Sequence, residues 1–362
     1  MLQTLQIKTH IINAFHILQI EDCFGGRFLD LSTIGQLIKE NYDLDITHVE
    51  KNKSVYRVET PYNIYCLKVI GYEFEHFLFI LGAIKHLQNN DFNYVPEIIK
   101  TIDGLDYIKV YDNYAYLTPW INARESNYDN PFDGKNAAKK LGELHSKSEN
   151  FIIKPNMQPR IGWFRWIETY KIRKNEIVDF KRRIDKKECK SQFDLIYLSI
   201  MEEELKRCDN SIKNLLSSKY MEKMQNHVCN KGFCHHDYAH HNVLINHNGD
   251  INIIDFDYCI LDSYLLDLSS LLIRRMKYSK WELNSAREIL DAYMETHRLN
   301  QDDIPIMAAF MEFPQDYWQR GIQYYWEEKP WGEEFFLKKL KFFCDDREEK
   351  QEFIESFRNL II

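Results

Sequence analysis

No apolar run of about 18 residues occurs in the 362-residue sequence, and residues 1–20 are interrupted throughout by polar and charged side chains. That pattern excludes a membrane-spanning helix and a secretory signal, so synthesis in the cytoplasm without a membrane partner is expected. No Cys-x-x-Cys pair is present. The eight cysteines, at 23, 66, 189, 208, 229, 234, 259 and 344, follow no regular spacing and read as reduced thiols. Positive charge is not in excess, since the net charge is −8, and a nucleic-acid partner would need a basic stripe. The strongest basic run, Lys181-Arg182-Arg183 with Lys186-Lys187, is broken by acids and reads as a solvated helix face. Internal repeats and low-complexity linkers are also lacking. What is there is ordinary globular composition, 44% hydrophobic and 28% charged, with 22 Tyr and 22 Phe, enough for more than one lobe.

Apolar periodicity divides the chain. Residues 1–43 read as helical, most clearly Leu31 to Asn41. Thr47 to Lys51, Val55 to Thr60 and Ile64 to Ile70 read as three short strands. A helix over Glu73 to Gln88 follows, then strands at Glu97 to Ile102, Tyr107 to Val110 and Tyr114 to Trp120. Beyond Trp120 the pattern is mostly helical, with long helices over 163–188 and 193–225 and further ones between 265 and 361. The expected organisation is an N-terminal helical extension (1–43), a small antiparallel β-lobe with one helix (44–120) and a helical lobe (121–362) carrying a hairpin at 234–257. This is an α+β, two-lobed architecture.

The hairpin carries the chemistry. Asn248-Gly249 between two apolar runs is a strong turn signal. With these two residues as the turn, Asn246 pairs with Ile251, Leu244 with Ile253, and Asn242 falls opposite Asp255, with Cα atoms about 4.5–5.5 Å apart. An amide oxygen and a carboxylate converging there suit a hard divalent cation such as Mg²⁺. Asp237, five residues before Asn242, sits in the loop entering the first strand, where a carboxylate beside a metal can take a proton from a hydroxyl.

Asp237-x4-Asn242 has the spacing of a kinase catalytic loop, and Asp255-Phe256-Asp257 resembles its metal-binding Asp-Phe-Gly segment, with Asp257 in place of glycine. The loop resembles more closely the aminoglycoside phosphotransferase/choline kinase superfamily, whose loop reads His-Gly-Asp with the Asp as base, followed later by an Asp-Leu pair, here Asp267-Leu268. Within it, Cys234-His235-His236-Asp237-Tyr238, Asp255-Phe256-Asp257-Tyr258-Cys259, Leu117 to Glu125, Phe313 to Trp318 and Gln323-Tyr324-Tyr325 resemble the spore-coat CotS family. The resemblance covers roughly residues 45–345. It implies a two-lobed protein kinase-like fold, ATP and Mg²⁺ as cofactors, and other spore-coat proteins as partners. It makes Asp237 the catalytic base, Asn242 a catalytic and metal residue, Asp255 and Asp257 metal ligands, and Asp267 an anchor of the loop.

The nucleotide half departs from the pattern. Resemblance assigns Lys68 to the ATP phosphates, the alternative being an edge lysine that guards the sheet. Glu73 and Glu75 stand at the start of the next helix, whereas the family's acidic slot falls near Leu81-Gly82. Either Glu75 substitutes or the ion pair is missing. The turn Lys51-Asn52-Lys53-Ser54 lacks the glycines that let backbone approach phosphate. Ser54, Thr118 and Trp120 complete the candidate nucleotide residues with Lys68 and Glu75.

Three rival readings remain at this stage. The histidines 235, 236, 240 and 241 suggest a transition-metal site, but no Cys or Glu completes a tetrahedral set. Tyr317, Trp318, Tyr324, Tyr325, Trp326 and Trp331 either line an acceptor pocket or form the core of a helix pair. Only nine residues separate Asp257 from Asp267, too few for a peptide-docking segment, so a small-molecule or sugar hydroxyl is the expected acceptor. The alternatives are a catalytically weak structural coat component and a choline- or sugar-kinase-like metabolic enzyme.

Overall fold

The computed structural model describes residues 30–278 and 280–362, so the helical expectation for residues 1–29 lies outside the described residues. The chain is α+β, as expected, and forms two compact units. The first comprises residues up to Tyr72 together with Ile98–Trp120; the second comprises Glu73–Glu97 and Ile121–Ile362.

In the first unit a helix α1 (Leu31–Tyr42) precedes strands β1 (His48–Asn52), β2 (Val55–Glu59), β3 (Ile64–Ile70), β4 (Ile108–Val110) and β5 (Asn113–Pro119). They form an antiparallel sheet in the order β1-β2-β3-β5-β4. Alternation decides the faces. Tyr56, Val58, Leu67, Ala115 and Leu117 bury one face against Ile34, Ile38 and Tyr42, which recur at every fourth position of α1. The expected strand at 97–102 does not form. Ile99 makes a single bridge to Leu117, and Thr101 then turns the chain, its backbone pairing with Gly104 and Leu105.

The second unit begins with α2 (Phe74–Asn89) and a three-residue strand β6 (Ala123–Glu125) that sequence reading missed. It continues through α3 (Pro131–Ser148), α4 (Trp166–Asp185), α5 (Gln192–Ser217), α6 (Tyr220–Asn230), β7 (Val243–Asn246) and β8 (Ile251–Ile253). Then come α7 (Tyr264–Met276), α8 (Leu283–Met294), α9 (Asp303–Glu312), α10 (Gln315–Gly321), a π-turn at Ile322–Trp326, and α11 (Glu333–Arg358). Local signals set several boundaries. Pro131 opens α3 behind an Asn130 cap, and a Ser191–Asp194 capping box opens α5. The expected helix at 193–225 is two helices, because Ser218 is extended and its hydroxyl accepts from the Tyr220 N–H. Tyr317 and Tyr325 are core residues: Tyr317 stacks on Tyr197 with ring centroids 4.0 Å apart, and Tyr325 on Phe180 at 5.6 Å. The core reading of that aromatic set holds for these two.

Candidate active site

The hairpin is present but its register is one residue from the expected one. Val243 pairs with Ile253, Leu244 with Asn252 and Ile245 with Ile251. The turn has three residues rather than two. The Asn246 side chain accepts from the N–H groups of Asn248 and Asp250, both at 2.9 Å, and Gly249 follows at φ 87°. That left-handed glycine closes a three-residue loop. Asn242 therefore faces Ile254, whose N–H donates to its carbonyl at 3.0 Å, and not Asp255. Asp255 is the next residue along, itself left-handed at φ 68°, and opens the short helical turn Phe256–Tyr258 that carries Asp257. β6 adds to the free edge of β7, opposite Leu244 to Asn246.

The loop before β7 is fixed from below by one buried carboxylate. Asp267, in the first turn of α7, accepts from the backbone N–H groups of His235 at 2.7 Å and His236 at 2.8 Å. Its Oδ2 also receives His145 Nε2 from α3 at 3.2 Å, while His145 Nδ1 meets the Tyr293 hydroxyl at 2.7 Å. Burial alone would push the Asp267 carboxyl up; the His145 hydrogen bond and the neighbouring histidines hold it below the usual carboxylate range. The expectation that Asp267 anchors the loop agrees with this geometry.

His235 ties the loop to the strands. Its Nδ1 accepts from the Asp237 N–H at 3.3 Å and its Nε2 donates to the Ile254 carbonyl at 2.9 Å. With both nitrogens engaged, it is an orienting residue and not a metal ligand. His236, where the resembling superfamily has glycine, adopts φ 69°. Burial pushes its imidazole down to about 4, so it is neutral near pH 7.

Asp237 and Asn242 come together directly. Asn242 Nδ2 donates to the Asp237 carbonyl at 2.9 Å and to its Oδ2 at 3.1 Å. The other carboxylate oxygen receives Arg274 at 2.8 Å. Asp237 remains 13% exposed, so its carboxylate is reachable. Because the Asn242 nitrogen is committed to Asp237, its amide oxygen is the atom left to face a ligand. Asn242, Asp255 and Asp257 offer oxygen donors only, the chemistry that fits a hard divalent cation. Arg160 donates to the Asp257 carbonyl at 3.2 Å and lies over the Tyr258 ring, holding that turn.

Sequence reading missed Arg274 and His145. Arg274 lies seven residues after Asp267 on α7, two turns along the same helix face, and that spacing is the signal that could have found it. His145 had only its place near the end of a predicted helix.

The first unit gathers three of the other candidates on one sheet face. Cys66 pairs with Thr118 and Lys68 with Tyr116, while the Trp120 N–H donates to the Ile64 carbonyl at 2.9 Å. Alternation therefore puts Lys68, Thr118 and Trp120 on the face opposite α1. Lys68 is buried, which sets aside the exposed edge-lysine alternative, and the Arg57 guanidinium sits 5.7 Å over the Trp120 ring. Ser54 is exposed in the β1–β2 turn, next to Val55, the register partner of Lys68. Glu75 is exposed in the first turn of α2 in the second unit. Leu81 is buried, and a side chain added at Gly82 would meet Met157. That stretch of helix is core and holds no carboxylate.

Solved structures similar to the chain share its fold at low identity. An aminoglycoside phosphotransferase from Alicyclobacillus acidocaldarius is 18% identical, with a TM-score of 0.79 over 92% of this chain and 96% of that one. Spectinomycin phosphotransferase, in complex with ADP and spectinomycin, is 17% identical, with a TM-score of 0.67 over 92% and 100%. Amicoumacin kinase, in complex with AMP-PNP, Ca²⁺ and its antibiotic, is 13% identical, with a TM-score of 0.60 over 88% and 94%. The fold is thus protein kinase-like. No curated protein sequence matches. The family described as "Spore coat putative kinase YutH" matches residues 35–357, and the chain belongs to that family.

Proposed function

We propose that this spore-coat family member is a Mg-ATP-dependent phosphotransferase whose acceptor is the hydroxyl of a small molecule or sugar. The observation that carries the reading is the Asp237 carboxylate. It is accessible, bonded to Asn242 and Arg274, and set in a loop whose backbone is clamped to buried Asp267. In this reading Asp237 accepts the acceptor's hydroxyl proton as the oxygen attacks the γ-phosphorus, whose bond to the β–γ bridging oxygen breaks to release ADP. Asn242, Asp255 and Asp257 would hold Mg²⁺, which when bound would offset charge on the transferring phosphoryl group. In the first unit Lys68, Ser54, Thr118 and Trp120 take the nucleotide. Positioning does most of the catalysis, since this chemistry needs little covalent help from protein.

The reading has support from fold relatives that were solved with ADP or AMP-PNP. Its test is binding linkage: millimolar Mg-ATP should raise the melting temperature of the wild type and leave Asp255→Asn unmoved. Identical melts for both proteins with and without Mg-ATP would remove it.

The second reading is a coat component with little activity, assembled on the spore through other coat proteins, as the CotS resemblance suggests. The glycine-free β1–β2 turn and the acid-free core stretch at Leu81-Gly82 favour it. ATP turnover that disappears in a folded Asp237→Ala variant would rule it out. A choline- or sugar-kinase-like role outside the coat uses the same site, and an acceptor screen separates it from the first reading.

A further inference from the structure

Helix α11 carries apolar side chains on two opposite faces. On the inner face Phe336, Leu340, Ile354 and Phe357 are buried. The outer face repeats every three or four residues, the spacing that keeps side chains on one side of a helix: Phe335, Lys338, Phe342, Asp345, Glu349 and Glu352, all exposed. Phe335 is 38% exposed and Phe342 44%. Neither stands alone. Tyr278, in the turn after α7 and 51% exposed, packs its ring against Phe342 with centroids 6.0 Å apart, and Trp331 meets Phe335 at 5.0 Å. Scattered exposed apolar side chains are ordinary, whereas a contiguous row marks an interaction surface.

The charges of this face are sorted along the helix. Lys338, Lys339 and Lys341 fall in the first half, and Asp345, Glu349 and Glu352 in the second. The Lys338 ammonium lies 5.9 Å from the Phe342 ring and that of Lys339 5.6 Å from Phe335, and neither makes an ion pair among the described residues. The cations of the second half turn elsewhere. Arg347 pairs with Glu204 of α5 at 3.0 Å, and Lys350 lies over the Trp281 ring at 5.7 Å. The outer face is therefore basic at one end and acidic at the other, and Phe342 sits where the sign changes. A uniformly acidic or uniformly basic partner would match one half and be repelled by the other. An identical helix running antiparallel matches both halves. With a two-fold axis near Phe342, Lys338 and Lys339 of each copy stand against the partner's Asp345 and the partner's Glu349. A parallel pairing would set like charge on like.

We propose that the outer face of α11 docks a second copy of this chain, antiparallel and two-fold, with Phe342 meeting its counterpart at the axis and the two charge sets pairing on either side. Such a contact is isologous and closed, so assembly through it stops at the dimer. The row from Phe335 to Glu352 is about 25 Å long at the α-helical rise. One helix pair of that length buries less than the about 1,600 Å² of a standard interface, so the dimer dissociates in the micromolar range or above. The association needs neither nucleotide nor acceptor, and it stands whether or not the chain transfers phosphate.

The test is analytical ultracentrifugation of the full chain over a concentration series, without nucleotide. The wild type should pass from monomer to dimer between low and high micromolar concentration. Raising salt from about 0.05 to about 0.5 M should weaken the dimer, since the screening length shrinks about three-fold. The pair Lys338→Glu/Lys339→Glu makes the outer face acidic throughout, and Asp345→Lys/Glu349→Lys makes it mainly basic. Each of these proteins alone should associate about ten-fold or more weakly than the wild type. Mixed in equal amounts, they should form a heterodimer, because both ends of the contact then match. Phe342→Ser should also weaken the homodimer while leaving its salt dependence in place. Lys338, Phe342, Asp345 and Glu349 are all exposed, so the variants should melt close to the wild type. A wild type that stays monomeric at every concentration would overturn the proposal and leave the face to a different partner. A dimer indifferent to salt, reversal variants that associate like the wild type, or folded reversal variants that fail to associate when mixed would each overturn it as well.

Discussion

The loop before β7 and the β1–β2 turn each contain a left-handed residue that is not glycine, His236 at φ 69° and Lys53 at φ 52°. They handle the same backbone problem differently. His236 is buried, and the N–H groups of His235 and His236 are fixed by one carboxylate while that of Asp237 donates to His235 Nδ1, so the surroundings over-determine its conformation. Lys53 is exposed in a two-residue loop between β1 and β2, where Asn52 pairs with Val55. Strain in the first place is held by buried tertiary hydrogen bonds; in the second it sits on an exposed two-residue loop. Perturbing the support of the loop should therefore cost much, and perturbing the turn little.

The largest effect is expected at Asp267. Asp267→Ala strips the acceptor from two buried N–H groups and from His145, and should destabilise the protein by about 3–5 kcal/mol in urea unfolding. A loss under about 1 kcal/mol would mean that the loop holds its shape without this anchor, and the contrast with the turn would fail.

Next comes acid. Burial pushes His236 down to about 4 from an ordinary 6.5, so the unfolded chain takes the proton first as pH falls. The stability it contributes is full above about pH 6.5 and is lost as pH falls toward 4, a loss of about 3 kcal/mol for 2.5 units. Buried His76 and His227 and half-buried His297 are depressed in the same sense. The variant His236→Gly removes one such group and also relieves the left-handed strain. Its stability relative to wild type should rise between pH 6.5 and 4.5 in denaturant titrations. A difference that stays flat with pH would show that His236 is not buried in solution.

Much of this site was legible before the structure, and the parts that were not share a cause. The Asp237-x4-Asn242 loop, the Asp255 segment and Asp267 are local in sequence, and so were the amphipathic α1 and the five strands of the sheet, although a sixth expected at 97–102 is only a bridge. The hairpin register was lost because the Asn248-Gly249 signal gives a turn without its length; the Asn246 side chain, bonded to Asn248 and Asp250, makes the loop three residues long. Strand β6 has three residues and exists only by pairing with β7, more than a hundred residues away. His145 and Arg274 enter the site by tertiary packing of α3 and α7. Contacts that need a distant partner leave little trace in local pattern.

A third measurement probes the hairpin that delivers Asn242. Gly249 sits at φ 87° with nothing within 4 Å of an added Cβ. The cost of Gly249→Ala is then backbone strain alone, about 1–2 kcal/mol in urea unfolding. A neutral result would mean that the turn rearranges to the two-residue form, which would shift Asn242 back opposite Asp255.

The smallest stability change is expected at the turn itself, where Lys53→Gly sharpens the contrast. Relief of left-handed strain gains about 1 kcal/mol, and the freer unfolded chain offsets about 0.4–1 kcal/mol of it, so the midpoint in urea should barely move. Ligand affinity is where this variant should differ. If the turn meets a phosphate, as proposed for Ser54, removing the side chain lets the backbone N–H groups approach more closely, and calorimetry should find Mg-ATP bound several-fold more tightly. Affinity equal to wild type, with stability also unchanged, would place the turn away from the nucleotide. A large stability change would contradict the comparison itself, since the exposed turn would then matter to stability as the buried loop does.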